Sequence, residues 1–193
     1  MTINLEQLLA ELKKEVTEKR YQHSLGVVES AKELAERFMA DQEKVIVAAF
    51  LHDYCKNWPK ARLSEIIKEN QSEMPPDLLV YNNELWHGPV AALIAKNKFS
   101  INDEDILNAI KYHTSGREKM SQIEKIVCLA DYIEPSRVYP YVEQLRAKAK
   151  EDLNCALLLA FTSTIEYLEE KNEAIYPLTL DARNYLAKQC GEE

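Results

Sequence analysis

Residues Val45 to Leu51 are all apolar, and they run directly into His52 and Asp53. Asp41 is placed to cap a helix through this stretch, and a helix so apolar on every side has to be buried on most of them. The chain must therefore build its core around this helix and then accept an imidazole and a carboxylate at its buried end. Polar groups in such a place are costly unless they are paired or coordinated. His52 and Asp53 accordingly read as ligands.

The other histidines extend the pattern. All four in the chain, His23, His52, His87 and His113, fall with Asp53 and Asp131 into the order His, His-Asp, His, His, Asp. Each His follows or interrupts an apolar helical stretch that carries it inward. Imidazole is the commonest protein metal ligand, and Asp adds a hard oxygen that can bridge two cations. The set could thus hold one or two divalent metals. For any single His, a place on a helix face with no ligand role is the better reading; for the ordered set it is the worse one. With no Cys among them the donors are nitrogen and oxygen, which suits iron, manganese or zinc over a soft metal.

The remaining sequence reads as helix. Only four Gly occur in 193 residues, while Leu, Ala, Glu and Lys abound, a composition that favours helix over sheet. Apolar stripes of helical period place amphipathic helices over residues 3–19, with Ile3, Leu5, Leu8, Leu9, Leu12 and Val16, and over 21–39, with His23 in the first turns. Residues 62–70 form a short helix before the break at Met74-Pro75-Pro76. Pro89 suits the first turn of a helix through 90–98. Asn102 or Asp103 caps a helix to His113, with Gly116 just past its end. Ser121 and Glu124 make a capping box for the helix that carries Asp131 and stops at Pro135. Helices at about 140–150, 152–171 and 180–189 complete the chain. The expected fold class is an all-α bundle in one domain over residues 1–193, with a metal-binding core at about 20–135 and C-terminal helices at about 140–189 packed on it.

Charge and cysteine usage exclude several functions. A net charge of -8 leaves no broad basic face for nucleic acid or an anionic membrane. Met1 to Glu15 lacks an apolar secretory core, and the longest apolar run is far too short to span a bilayer, so a cytoplasmic location is expected. Cys55, Cys128, Cys155 and Cys190 stand far apart with no C-x-x-C pair, which implies buried, reduced thiols. Neither a P-loop nor a G-x-S-x-G elbow is present.

Local motifs surround the ligands: Arg20-x-x-His23, His52-Asp53-Tyr54-Cys55-Lys56, His87-Gly88-Pro89, His113-Thr114 and Asp131-Tyr132-Ile133-Glu134-Pro135-x-Arg137. A tail of Ile175-Tyr176-Pro177-Leu178-Thr179 with Ala182-Arg183-Asn184 follows. Together they resemble the HD-domain metal-dependent phosphohydrolases, and in detail the bacterial YqeK-type group of symmetrical dinucleoside tetraphosphate hydrolases. The resemblance implies one metal among His23, His52, Asp53 and Asp131, with Asp53 also facing a second held by His87 and His113; iron comes first, manganese and zinc as alternatives. Asp53, His87 and His113 take the catalytic part. Such a metal lowers the pKa of bound water and polarises a phosphoryl oxygen, so phosphoanhydride hydrolysis needs no covalent intermediate.

Arg20, Lys56 and Arg137 each sit three to six residues from a ligand and so read as phosphate contacts, and Thr114, directly after His113, reads as a hydroxyl donor to phosphate or a helix cap. Asp53, Tyr54, Cys55, His87, His113 and Asp131 join them in the expected substrate set, and the resemblance puts Ile175, Tyr176, Pro177, Leu178 and Thr179 on the nucleoside. Glu84 and Glu134 would orient ligands from behind. The implied partner is a small nucleotide, a dinucleoside polyphosphate with ADP as product, and a homodimer is compatible with the chain. Nearby readings are a nucleotidase or a nucleoside triphosphate phosphohydrolase. An alarmone hydrolase is disfavoured because Tyr54-Cys55-Lys56-Asn57 stands where that group has a Glu-Asp pair. A di-iron oxygenase and a noncatalytic helical module with a structural metal belong to other classes; structural sites are usually coordinatively closed, whereas six ligands shared by two metals leave positions open.

Overall fold

The computed structural model describes residues 5–191, and among them the regular structure is ten α-helices with three short 3₁₀ turns. The helices are α1 (Leu5–Glu15), α2 (Glu18–Arg37), α3 (Gln42–Leu51), α4 (Lys60–Glu69), α5 (His87–Phe99), α6 (Glu104–Tyr112), α7 (Gln122–Ile133), α8 (Val142–Ala149), α9 (Leu153–Glu170) and α10 (Pro177–Gln189). The 3₁₀ turns, Gln71–Glu73, Leu78–Val80 and Asn83–Leu85, lie in the stretch that the paired prolines keep out of α-helix.

The apolar run forms α3, and its residues Val45, Val47, Ala48, Ala49 and Leu51 are buried. Around it pack α1, α2, α5, α6 and α7. Side chains close the ends of these helices as expected: Asp41 accepts from Lys44 N, Asp103 from Ile106 N, and Ser121 with Glu124 forms the capping box of α7. These caps fix where each chain segment enters the core, and so where the ligand at its end points.

Several boundaries differ from those read in the sequence. The stripes over 3–19 and 21–39 break earlier, because the Thr17 side chain accepts from Arg20 N and starts α2 at Glu18; Ile3 lies outside the described residues. The helix expected from residue 90 begins at His87. Its first turn closes onto α6 at Gly88, where a Cβ would stand 3.0 Å from the Lys111 carbonyl oxygen and 3.1 Å from that of Ile110. Only glycine lets the two backbones meet there. The last helix starts at Pro177 and not near 180, since proline at the first helical position has no N–H to leave unsatisfied. Pro177, Leu178 and Thr179 are therefore a helical turn and not a loop.

The cysteine expectation needs correction. Cys55 and Cys128 are free and buried, but Cys155 and Cys190 form a disulfide with Cα atoms 5.7 Å apart. The antiparallel pairing of α9 with α10 brings the start of one beside the end of the other, which a separation of 35 residues in sequence does not announce. Closing a loop of that length stabilises the fold by roughly 3 to 4 kcal/mol in the chain-entropy picture. Reduction of the purified protein should lower Tm by about 10 °C, and Cys155→Ser should remove the response to reductant. A wild-type Tm indifferent to reductant would show that the bridge is not formed in solution.

Candidate metal centre

Five helices deliver the six candidate ligands, mostly from their ends. His23 stands in the second turn of α2, His52 and Asp53 follow α3, His87 opens α5, His113 follows α6, and Asp131 lies in the last turn of α7. The Asp53 carboxylate is at the middle. Its Oδ2 lies 3.5 Å from His23 Nε2 and 3.4 Å from His52 Nε2. Its Oδ1 lies 3.0 Å from His87 Nε2 and 3.7 Å from His113 Nε2. Asp131 Oδ1 is 3.0 Å from His23 Nε2. Two sets have ligand atoms close enough to share an ion: His23 with His52 and Asp131, and His52 with Asp53 and His113.

The rings are aimed from behind. His52 Nδ1 lies 2.6 Å from the Ala49 carbonyl and His113 Nδ1 lies 2.8 Å from that of Ile110. A carbonyl can only accept, so Nδ1 carries the proton and Nε2 presents a lone pair to the centre. His23 is set the same way by Glu134, whose Oε1 is 3.0 Å from Nδ1. His23 Nε2 and His52 Nε2 are buried and have no hydrogen-bond partner. Lone pairs turned toward carboxylate oxygens at such distances repel unless a proton or a cation lies between them. Nitrogen and oxygen donors so arranged fit a divalent metal.

The titration behaviour agrees. Burial would raise the Asp53 carboxyl, yet His52 and His87 hold it well below the usual carboxylate range. Asp131 is likewise lowered against its burial by His23 and Arg137. Burial pushes His87 down, and burial with the neighbouring His52 and His87 pushes His113 down to about 3. The carboxylates are thus anionic and these two imidazoles neutral near neutral pH, the forms that coordinate metal. His52 moves up: burial opposes its charge, but Asp53 and Asp131 outweigh it. A proton and a cation compete for that nitrogen.

Cations ring the site, each tied to a carboxylate. Arg20 Nη1 is 2.7 Å from Asp53 Oδ2, Arg137 binds the Asp131 carboxylate, and Lys56 Nζ is 2.8 Å from Glu84 Oε2. Glu84 therefore holds Lys56 and does not orient a ligand, its side chain being 64% exposed. Thr114 Oγ1 lies 3.0 Å from His113 Nε2. Tyr54 and Cys55, both expected on the substrate, have buried side chains. The Tyr54 ring packs on Trp58 and Phe99 and its hydroxyl accepts from Lys98, which leaves these two residues only their backbone to offer. Tyr176 is also buried, donating to the Pro76 carbonyl at 2.8 Å and packing on Tyr81, while Ile175 and Leu178 are half-buried, Pro177 is exposed and Thr179 is buried. A large surface cleft lined by Leu8, Lys44, Val47, Phe99 and Ile106 contains none of the ligands, so cleft size is no guide to the chemistry here.

Two supporting residues escaped the sequence reading. Arg146 donates to the carbonyls of Ile133, Glu134 and Arg137 at 2.9, 2.8 and 3.2 Å, fixing the turn that carries Glu134 and Arg137. Gly26 lies on α2, where a Cβ would stand 2.7 Å from Glu134 Oε2 and 3.4 Å from Pro135 Cδ. A mid-helix glycine costs about 1 kcal/mol relative to alanine, so the close approach of Glu134 explains its presence. Glu134 has little room to retreat, because it also accepts from Ser136 N and Ser136 Oγ. Gly26→Ala should leave Tm nearly unchanged and weaken metal affinity roughly 10- to 100-fold by displacing the partner of His23. Metal titration of the variant checks this; undiminished affinity would separate Glu134 from the site.

Comparison with known proteins points the same way. The HD domain family model matches residues 20–136. A Bacillus subtilis protein named symmetrical bis(5'-nucleosyl)-tetraphosphatase is 46% identical over 95% of this chain and 98% of its own length. A Staphylococcus aureus protein of the same name is 40% identical over 95% of this chain and 94% of its own. A solved structure from Clostridium acetobutylicum, titled a "predicted HD superfamily hydrolase involved in NAD metabolism", matches with a TM-score of 0.91 and 40% identity over 96% of this chain and 98% of that one. This chain belongs to the HD domain family, together with curated relatives of 40 to 46% identity that bear the symmetrical tetraphosphatase name.

Proposed function

We propose that the protein is a metal-dependent phosphoric anhydride hydrolase that cleaves diadenosine tetraphosphate symmetrically into two ADP. The observation that carries the reading is the divided carboxylate of Asp53, one oxygen toward His23 and His52 and the other toward His87 and His113. The names of the curated relatives support the substrate class. One divalent cation is assigned to His23, His52, Asp53 and Asp131, and a second to Asp53, His87 and His113, with iron preferred over manganese or zinc. Bound there, the metal supplies an activated water and polarises a phosphoryl oxygen.

The chain's own residues bind and orient the substrate. Arg20, Lys56 and Arg137 turn from their carboxylate partners to phosphate oxygens, guanidinium forks being suited to that geometry. The Thr114 hydroxyl donates to a phosphate, and Ile175 to Thr179 seats one nucleoside. Burial of His52, Asp53, His87 and His113 keeps bulk water from the reacting phosphorus and strengthens every charge interaction around it. Among the described residues no helix is long and apolar enough to cross a membrane.

Two experiments test the reading. Asp53→Ala removes an anionic ligand from both proposed ions, so activity should fall by about 10³-fold or more together with metal content; an active variant with full metal occupancy would sink the assignment. In heavy-oxygen water, diadenosine tetraphosphate should give ADP alone, with label on the terminal phosphate of one of the two molecules. AMP with ATP as first products would move the cut to another phosphorus.

A further inference from the structure

Arg20, Lys56 and Arg137 each hold a carboxylate already, so each can meet a polyphosphate only by giving up a partner. Arg183, in the second turn of α10, differs. It makes no ion pair and no hydrogen bond among the described residues, and its Nε is buried with no acceptor. A buried N–H without an acceptor is an uncompensated loss, and one on a half-buried guanidinium is free to take an anion's oxygen as its acceptor.

The position of Arg183 suggests which anion. One turn earlier on the same face stands Thr179, buried and also without a side-chain hydrogen bond among the described residues; residues four apart are neighbours on a helix surface. Beside Arg183, Ala182 closes on Gly116, where a Cβ would fall 2.9 Å from the Ala182 Cβ. Gly116 is three residues beyond His113 in the segment that leaves the metal centre. Ala182 thus packs this part of α10, one turn after the proposed nucleoside seat, against the segment that follows His113 and Thr114.

We infer that Arg183 is a phosphate-binding residue of this site, its Nε–H and an adjacent Nη–H taking oxygens of the nucleoside diphosphate half seated on the first turn of α10. The inference rests on the hydrolase reading and adds to it an unpaired cation. Arginine is required in this role because the buried donor is Nε–H, and lysine has no equivalent at that depth.

ADP binding separates this role from a structural one. In the metal-loaded protein, Arg183→Ala should weaken ADP roughly tenfold or more, raise KM for diadenosine tetraphosphate, and leave adenosine binding and Tm unchanged. Arg183→Lys should recover only part of the ADP affinity. Undiminished ADP affinity in Arg183→Ala overturns the inference, as does a loss shared equally by ADP and adenosine with a lowered Tm, which would mark a packing role. If the wild type neither cleaves the dinucleotide nor binds ADP, the hydrolase reading falls and carries this one with it; if it does both and the alanine variant matches it, only the inference falls.

Discussion

Four imidazoles and one guanidinium approach the Asp53 carboxylate within 3.7 Å, and the rest of the architecture serves that meeting. A carboxylate buried this deeply is untenable alone. It becomes tenable because α2, α3, α5 and α6 each bring a positive or polarisable nitrogen to it, and they can do so only if α3 is central and the other helices pack around it. The apolar sequence of α3 is thus the condition for the polar site at its end.

Charges around the centre are compensated in layers. Asp53 and Asp131 hold Arg20 and Arg137, and behind His23 stands Glu134, fixed in turn by Ser136 and the Arg146-bound turn. Each layer limits the freedom of the one inside it. Aiming the imidazole lone pairs inward therefore needs little reorganisation when a cation binds, which is what preorganisation means for a metal site.

Much of this was legible in the sequence, for a physical reason. Burial of an apolar run, capping at Asp41, Asp103 and Ser121, and the order of the histidines are local signals, and they gave the helices and the ligand candidates. Contacts between side chains and distant backbone were not legible. Nothing near Arg146 announces that it binds three carbonyls, nothing near Gly26 announces Glu134 across the helix interface, and Cys155 finds Cys190 only after α9 and α10 have paired. Glu84 misled for the converse reason: close in sequence to His87, it points outward to Lys56. Tyr54 and Cys55 follow the ligands in sequence, yet the chain turns them into the core.

Because the ligands arrive on five separate helices, whatever draws them together also draws the bundle together. An ion that binds only the folded chain lowers its free energy by mass action, and its removal takes that stabilisation away. On the proposed reading, a chain starved of its ion would open more often and meet proteases in that state. Abundance would follow the metal without any dedicated sensor.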